Sequence, residues 1–290
     1  MKAVVTGYAS LDYALRLDRP PEADRTSTIV ARAEEFPRLG GSPAYVAAAM
    51  RAGGAEAVVP ITWIGDDDMG ARYRAALAEL GLNTGGLGVR PGRTPICVLA
   101  YEPRGGCHCF YHPSLPEPIG LDDAQRAFVA GSDLVCITIG PERATRETLT
   151  HARADAVVVW AVKADPRAVP PDLAAALAKR ADVVVSSRGE AAFVREAFDR
   201  AAARHRATMR VETRGAEGAA IVDGGAETII RAEPVAVRDT TGAGDTFLGG
   251  FLAAWPGDDA RGAMEKGVAA ARALLVNRAA REREDQVHGE

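Results

Sequence analysis

Cysteine, lysine and long apolar runs are all scarce in this chain of 290 residues. The four cysteines, at positions 97, 107, 109 and 136, are too few to form a disulfide scaffold. No apolar run reaches the roughly 18 residues that a membrane-spanning helix requires. The chain also lacks an excess of positive charge, since its net charge is −4, so we expect neither nucleic acid nor a membrane surface as a partner.

Several common catalytic signatures are absent as well. Lysine occurs only at positions 2, 163, 179 and 266, never within Gly-x-x-x-x-Gly-Lys-Ser/Thr, which excludes a P-loop nucleoside triphosphatase. Neither Gly-x-Ser-x-Gly nor His-Glu-x-x-His is present, which excludes the commonest hydrolases. A Rossmann dehydrogenase would carry Gly-x-Gly-x-x-Gly after its first strand, whereas this chain has Gly7-Tyr8-Ala9-Ser10-Leu11-Asp12 there.

What is present is the composition of an ordinary soluble globular protein, with 47% apolar and 26% charged residues. A length of 290 residues is near the upper end of what one α/β domain holds, so we expect a single domain over residues 1–290. The N-terminal run before Gly7 is typical of a first strand rather than of a signal peptide, and a cytoplasmic location is therefore expected.

Short runs rich in Val and Ile alternate with stretches of helical periodicity, which predicts an α/β fold with a mostly parallel central sheet and helices on both faces. The predicted strands are Ala3–Thr6, Val58–Ile64, Leu134–Ile139, Val157–Ala161, Val183–Ser186 and Met209–Thr213. The predicted helices include Pro43–Arg51, Ala71–Leu80, Leu173–Lys179 and Glu190–His205. An antiparallel hairpin at the sheet edge is predicted for Ala219–Val222 and Glu227–Arg231, joined at Gly224-Gly225.

Two segments interrupt this alternation, at about residues 13–37 and 90–113. They carry short alternating stretches with turns and no helix signal, so we predict that they pair into a small sheet beside the core, placed to act as a lid. The second segment contains Cys107-His108-Cys109, a spacing that also occurs in metal sites. Because side chains alternate along a strand, His108 would point away from both thiols, and we favour strand residues over metal ligands.

The strongest local motif is Asp239-Thr240-Thr241-Gly242-Ala243-Gly244-Asp245-Thr246-Phe247. Apolar residues then recur at helical spacing, so the glycine loop leads directly into a helix N-terminus, where unpaired amides and the helix dipole favour an anion such as phosphate. Asp245 is either a chemically active carboxylate beside that anion or simply the residue that caps the helix. The residues alone leave both interpretations open.

Two further glycine motifs have the same ambiguity. Thr213-Arg214-Gly215-Ala216-Glu217-Gly218 follows one predicted strand and precedes another. This placement suits contacts with a nucleotide, but the motif by itself favours a β-turn with a capping Thr. Gly40-Gly41-Ser42-Pro43 leads into a helix, since Pro43 fits a first helical position, and leaves room for a ligand at its start. Each of these motifs is a weak signal by itself.

Taken in order along the chain, these motifs resemble the ribokinase, or PfkB-type, family of carbohydrate kinases. The match at Asp239–Phe247 is close to complete, Gly65–Gly70 adds the Gly-Asp-Asp-x-x-Gly segment common in that family, and the resemblance extends over nearly the whole chain. It implies that Asp245 is the catalytic base that takes the proton from an acceptor hydroxyl. The backbone amides of Gly242, Ala243 and Gly244 would form the anion hole.

The resemblance also implies roles at other positions. Substrate contacts would come from Asp12, Gly40 and Gly41, and nucleotide contacts from Ser187, Thr213, Gly215 and Gly218. Glu190 would help to hold Mg²⁺ through water. The alternative is that Glu190 is simply an exposed residue of a helix. Asp239 and Thr241 match a monovalent cation site, for K⁺, that many family members use.

The chain departs from the family at the acceptor site. Tyr45 replaces a usual Asn, so it either offers the acceptor a flat surface and one hydroxyl or packs into the core beside Val46. Ser187 likewise replaces the Asn of an Asn-x-x-Glu segment that ends at Glu190. These changes leave the residues for phosphoryl transfer in place and leave the acceptor open.

The resemblance therefore implies phosphorylation of a hydroxymethyl group of a sugar or nucleoside, with ATP and Mg²⁺ as cofactors. One alternative is a ligand-binding or regulatory protein that keeps the fold without turnover, and another is an unrelated α/β nucleotide-binding protein. A homodimer that pairs one lid sheet with another is also implied.

Overall fold

The computed structural model describes residues 1–201, 208–223, 226–255 and 257–287. Its strands are β1 (Lys2–Thr6), β2 (Ser10–Leu17), β3 (Ile29–Arg32), β4 (Arg38–Gly40), β5 (Ala57–Gly65), β6 (Leu87–Arg90), β7 (Ile96–Tyr101), β8 (Cys107–His112), β9 (Leu134–Ile137), β10 (Val157–Ala161), β11 (Val183–Ser187), β12 (Met209–Thr213), β13 (Ala219–Asp223) and β14 (Ala226–Ile230). Its α-helices are α1 (Ser42–Ala52), α2 (Asp68–Glu79), α3 (Asp123–Ala130), α4 (Glu142–His151), α5 (Pro171–Arg180), α6 (Ala191–Arg200), α7 (Ala243–Ala254) and α8 (Ala260–Val287). Across these described ranges, no helix is long and apolar enough to span a membrane.

The larger sheet has, within the described residues, nine strands in the order β14-β13-β12-β11-β10-β9-β1-β5-β6. Neighbouring strands are parallel except where β13 pairs antiparallel with β12 and β14. Helices cover both faces, which is why the central strands are apolar on successive residues. In β1, for example, Val4 packs on one face and Val5 on the other, and both are fully buried.

Each face of the larger sheet has its own helical layer and core. Helices α1, α7 and α8 pack together on one face, with Met50, Phe251 and Met264 buried in that core. Helices α3, α4, α5 and α6 cover the other face, with Leu173 and Leu177 fully buried in the second core. The α/β class predicted from the alternation is therefore confirmed.

The smaller sheet has the order β3-β2-β7-β8, with β4 pairing to the start of β2. Strands β2 and β7 are parallel, and the remaining pairs are antiparallel. The register gives this sheet two faces. Asp12, Cys97, Tyr101 and Cys109 share the face that we call the inner face, because Tyr101 contacts the loop before α7 there.

The predicted strands of the larger sheet and the small second sheet are confirmed, with shifts at their ends. One assignment differs: residues near Arg90 belong to β6, which pairs with β5 in the larger sheet, whereas the smaller sheet already begins at Ser10. The hairpin strands pair as predicted, but its connection at Gly224-Gly225 lies outside the described residues. The predicted end of a helix at His205 also lies outside them.

Candidate active site

The N-termini of α1 and α7 lie side by side at the carboxyl ends of the parallel strands, where ligands bind in sheets of this type. Their approach depends on Gly249 in α7, because a Cβ atom at this position would lie 2.4 Å from the Val46 backbone oxygen in α1. This close packing brings the first residue of α1, Ser42, to Asp245 in the first turn of α7. The Ser42 hydroxyl is near enough to the Asp245 carboxylate to lower its pKa.

Gly242 is the N-cap of α7, and its backbone is left-handed with φ 76°. The N-cap lies three residues before Asp245, so the interpretation of Asp245 as the N-cap residue is wrong. The Ala243 amide donates to the Thr240 carbonyl at 3.1 Å, which means that the turn already uses one of the three amides predicted for the anion hole. A Cβ atom at Gly244 would meet no atom within 4 Å, so the space in front of this residue is open.

The Asp245 carboxylate is half-buried and lies among charged groups. Burial raises its pKa above the ordinary value for aspartate, and the carboxylates of Asp12 and Glu190 act in the same direction. The Ser42 hydroxyl and the charge of Lys163 act in the opposite direction. A carboxylate with a raised pKa beside an open space is a suitable proton acceptor.

Asp12 on β2 is 4% exposed and lies over the backbone of Gly40. A Cβ atom at Gly40 would lie 2.1 Å from Asp12 Oδ1, so only glycine leaves room for this carboxylate. The Ser10 hydroxyl donates to Asp12 Oδ1 at 2.6 Å, and the Tyr73 hydroxyl donates to the Gly40 carbonyl at 3.1 Å. Gly41 is required for another reason, since its φ is 85° and a Cβ atom would lie 2.4 Å from the Tyr8 carbonyl.

Tyr45 lies between the glycine loop of α7 and helix α8. A Cβ atom at Gly242 would be 2.9 Å from the Tyr45 ring, and the Tyr45 hydroxyl accepts a hydrogen bond from Arg278 Nη2 at 3.5 Å. The side chain also lines a cavity and is not among the residues of the apolar core that contains Val46. Tyr45 therefore lies between the glycine loop and this cavity.

Asp239 is surrounded by cationic and hydroxyl donors. It forms an ion pair with Arg38, accepts from the Tyr101 hydroxyl at 2.5 Å, and lies 3.3 Å from Arg278 Nη1. Burial opposes ionisation, but the Arg38 hydrogen bond and the two guanidinium charges hold the pKa of Asp239 below its ordinary value. The group is a buried carboxylate held ionised by its partners.

The same contacts decide whether a monovalent cation fits at Asp239 and Thr241. Such an ion needs oxygen ligands that are not already engaged. Here Arg278 Nη1 donates to the backbone carbonyls of both Asp239 and Thr241, and the Tyr101 hydroxyl bonds to the Thr241 hydroxyl. These residues therefore do not fit an added cation, because a guanidinium already takes their oxygens.

The predicted nucleotide residues lie at the ends of two adjacent strands, where Ser187 and Thr213 are register partners. Glu190 Oε2 accepts from the Ser187 amide and hydroxyl, both at 2.8 Å, while Oε1 has one long contact of 3.3 Å with the Ala164 amide. Oε1 thus retains capacity for a water molecule, which fits the expected contact with Mg²⁺. In the described residues, no group of three or more His, Cys, Asp or Glu side chains could hold a metal by itself.

The two glycines after Thr213 differ in what they do. Gly215 has φ 59°, and a Cβ atom there would meet nothing within 4 Å. Gly218 has φ 102°, and a Cβ atom there would lie 2.0 Å from the Ile230 carbonyl, so this glycine is needed for strand packing. The Gly218 carbonyl also accepts from the Arg214 amide at 2.8 Å, which closes a turn. Of the two, Gly215 alone faces open space.

The Cys107-His108-Cys109 segment alternates as predicted. His108 bonds to Glu102 at 2.6 Å and stacks on Phe110, on the face of β8 that we call the outer face. Cys109 lies on the inner face with its Sγ 3.3 Å from Cys97 Sγ, and the hydrogen bond from Cys97 lowers the pKa of Cys109 to about 7.

Sequence reasoning missed Ser42, Arg38, Tyr101 and Arg278. Ser42 could have been found, since it follows Gly41 at the start of a predicted helix. The other three are far from the motifs in sequence, as the separation of 201 positions between Arg38 and Asp239 illustrates. No local pattern marks such residues.

Comparison with known proteins identifies the family of this chain. The model of the pfkB family of carbohydrate kinases matches residues 2–285, and the chain belongs to this family. An ATP-dependent ribose-1-phosphate kinase of Halopiger xanaduensis is 27% identical over 270 residues, covering 91% of this chain and 88% of that protein. Fructoselysine 6-kinase of Escherichia coli is 27% identical over 201 residues, covering 67% of this chain and 73% of that protein.

Solved structures show the same fold. A ribokinase of Cryptococcus neoformans in complex with ADP superposes with a TM-score of 0.77 at 20% identity, covering 93% of this chain and 92% of that one. The nucleoside kinase of Methanocaldococcus jannaschii gives a TM-score of 0.75 at 18% identity, with coverages of 94% and 91%. At these identities the likeness concerns the fold.

Proposed function

We propose that this protein transfers the γ-phosphoryl group of ATP to a hydroxymethyl group of a sugar or nucleoside. The observation that carries the proposal is the position of Asp245. Its carboxylate lies in the first turn of α7, near the Ser42 hydroxyl, and stands beside the open space at Gly244. Gly242, and not Asp245, is the N-cap residue of this helix.

In the proposed reaction, Asp245 accepts the proton of the acceptor hydroxyl while that oxygen bonds to the γ-phosphorus. The bond from the γ-phosphorus to the bridging oxygen breaks, and ADP leaves with the electron pair. The raised pKa of Asp245 suits this proton transfer. The amides of Gly242 and Gly244 and the positive end of the α7 dipole would stabilise the negative charge on the phosphoryl oxygens.

Other residues would position the reactants. Asp12, which is buried and fixed by Ser10, would accept hydrogen bonds from acceptor hydroxyl groups. Ser187, Thr213 and Gly215 lie at the strand ends where a nucleotide would bind. Glu190 would hold the hydration shell of Mg²⁺, which supplies charge neutralisation on the phosphates when bound.

A screen for ADP formation tests the proposal directly. Purified protein is incubated with Mg-ATP and one acceptor at a time from a panel of pentoses, hexoses, their phosphate esters and nucleosides. We expect turnover with at least one acceptor, and a kcat lower by roughly 10²–10⁴-fold in the Asp245→Asn variant. Saturable binding of an acceptor without any ADP formation would instead support a ligand-binding or regulatory role.

A further inference from the structure

Arg38 on β4 is a buried cation that uses only part of its hydrogen-bonding capacity. The residue is 9% exposed, and its Nη1 pairs with Asp239. In the part of the chain that the structure describes, its Nε and Nη2 are buried and have no partner. Leaving such donors unsatisfied is costly, and they form the planar edge that binds an oxyanion in a bidentate manner.

Arg38 lines a cavity of about 610 Å³ between the smaller sheet and helices α1 and α8. Four carboxylates lie in its lining, and two of them are already engaged. Asp239 pairs with the guanidinium groups of Arg38 and Arg278. Glu282 accepts hydrogen bonds from backbone amides, including that of Arg238 at 3.2 Å. Six arginines line the same cavity, namely Arg16, Arg32, Arg38, Arg238, Arg278 and Arg281. The lining therefore has an excess of positive charge.

This cavity adjoins the proposed acceptor site. Arg38 and Asp12 are directly opposite each other in the β2–β4 pair, so their side chains lie on the same face of the sheet. Asp12 interacts electrostatically with both Asp245 and Arg38. A ligand that contacts Asp12 and has its reactive hydroxyl at Asp245 is therefore within electrostatic range of Arg38.

We infer that the acceptor already carries a phosphate monoester, and that Arg38 binds this phosphate with the support of Arg278. The inference rests on the proposed function, since it concerns the same acceptor. A phosphate brings about two negative charges and three acceptor oxygens, which match the unused Nε and Nη2 of Arg38 and the excess of arginine. A neutral sugar or nucleoside could accept from those donors through its oxygens but would leave the excess of positive charge in the lining unbalanced.

The test compares kcat/KM for matched pairs of acceptors, each a pentose or hexose and its phosphate monoester with the same free hydroxymethyl group. We expect the wild-type protein to prefer the phosphorylated member by roughly 100-fold or more. In Arg38→Met that preference falls to about tenfold or less, mainly through a higher KM for the phosphorylated member. Arg38→Lys keeps the charge beside Asp239 but removes the planar edge, and should lose most of the preference as well.

Arg153→Met is the matched control. Arg153 lies in the loop before β10, at the amino ends of the parallel strands and away from the cavity, where it pairs with Asp133 and Asp155. This variant should retain the full preference. Circular dichroism of all three variants establishes that they fold.

Direct binding makes the outcome independent of turnover. By calorimetry, a sugar phosphate should bind the wild-type protein and bind Arg38→Met roughly tenfold or more weakly. Turnover of neutral acceptors alone would overturn this inference and leave the proposed function intact. Binding of the sugar phosphate that depends on Arg38, without turnover of any acceptor, would support this inference and overturn the proposed function. Inorganic phosphate that activates without competing with the acceptor would also overturn the inference, because the cavity would then be an effector site.

Discussion

The guanidinium of Arg278 lies 3.3 Å, through Nη1, from both the backbone carbonyl oxygen and Oδ1 of Asp239. A permanent cation thereby takes the position at which the family resemblance places an exchangeable one. A guanidinium remains charged at every accessible pH, so its effect on the neighbouring glycine loop needs no dissolved ion.

Turnover should therefore be independent of potassium. Replacing K⁺ by tetramethylammonium at constant ionic strength should change kcat/KM by less than about twofold. Arg278→Met removes the guanidinium and should lower activity, with partial recovery when K⁺ is added. Activation of the wild-type protein by K⁺ of about tenfold would contradict this expectation.

Asp245→Asn should lower kcat by roughly 10²–10⁴-fold with little change in ATP affinity, because it removes the proton acceptor and preserves size. The measurement is steady-state kinetics combined with nucleotide binding by calorimetry. Asp258→Asn is the control, since Asp258 is an exposed carboxylate in the turn after α7. Near-native turnover in Asp245→Asn would falsify the assignment of the base.

The same variant should also change the dependence of stability on pH. A carboxyl whose pKa is raised in the folded state binds its proton more tightly there, so the folded state loses stability as pH rises from the unfolded pKa through the folded pKa. Asp245→Asn should therefore melt at a higher temperature than wild type at about pH 8, and the difference should vanish below about pH 4. A higher melting temperature for wild type at the alkaline end would show that the carboxylate stabilises the fold.

Gly242 and Gly244 should respond differently to substitution. Gly244→Val places its side chain in open space, so the fold should persist while the space for the phosphates is lost and activity falls below detection. Gly242→Val forces a left-handed φ on a β-branched residue and drives it into the Tyr45 ring, which should cost about 2 kcal/mol or more. Circular dichroism melts and a kinase assay on the same preparations separate the two effects. Equal loss of stability in both variants would contradict the prediction.

Tyr45 can be tested with two substitutions. Tyr45→Asn removes the ring beside the glycine loop and should change the ratio of kcat/KM values between nucleosides and simple sugars by about tenfold, or ~1.4 kcal/mol. Tyr45→Phe keeps the packing against Gly242 and removes the contact with Arg278, so it should leave that ratio nearly unchanged. An unchanged ratio in Tyr45→Asn would show that substrate choice is decided elsewhere.

Association through the smaller sheet is a further expectation. Phe110 on the outer face is 58% exposed and stacks on His108, an arrangement that a second copy of the sheet would cover. We expect a homodimer by analytical ultracentrifugation at micromolar concentration, and a monomer for Phe110→Glu. Val89→Glu, on the edge strand of the larger sheet, is an equally exposed control that should remain dimeric. A monomeric wild type at that concentration would overturn this expectation.

Much of the architecture follows from patterns that are local in the chain. Strands such as β10 were predicted at their observed bounds because a strand buried on both faces is an unbroken run of Val, Trp and Ala between polar turns. The assignment near residue 90 was less accurate, because β6 has only four residues, and nothing within it indicates whether β5 or the smaller sheet is its partner. Partner choice depends on contacts between segments that are distant in sequence.

The candidate site divides in the same way. The position of Asp245 after a glycine loop could be read from consecutive residues, since helix termini and tight turns are set by backbone conformation over a few positions. Tertiary structure alone decided which groups surround the Asp245 carboxylate, because Ser42 belongs to another helix and Asp12 to the smaller sheet. It also decided that Arg38 and Arg278 converge on Asp239, since buried charges find their partners in space and leave no periodic trace in the sequence.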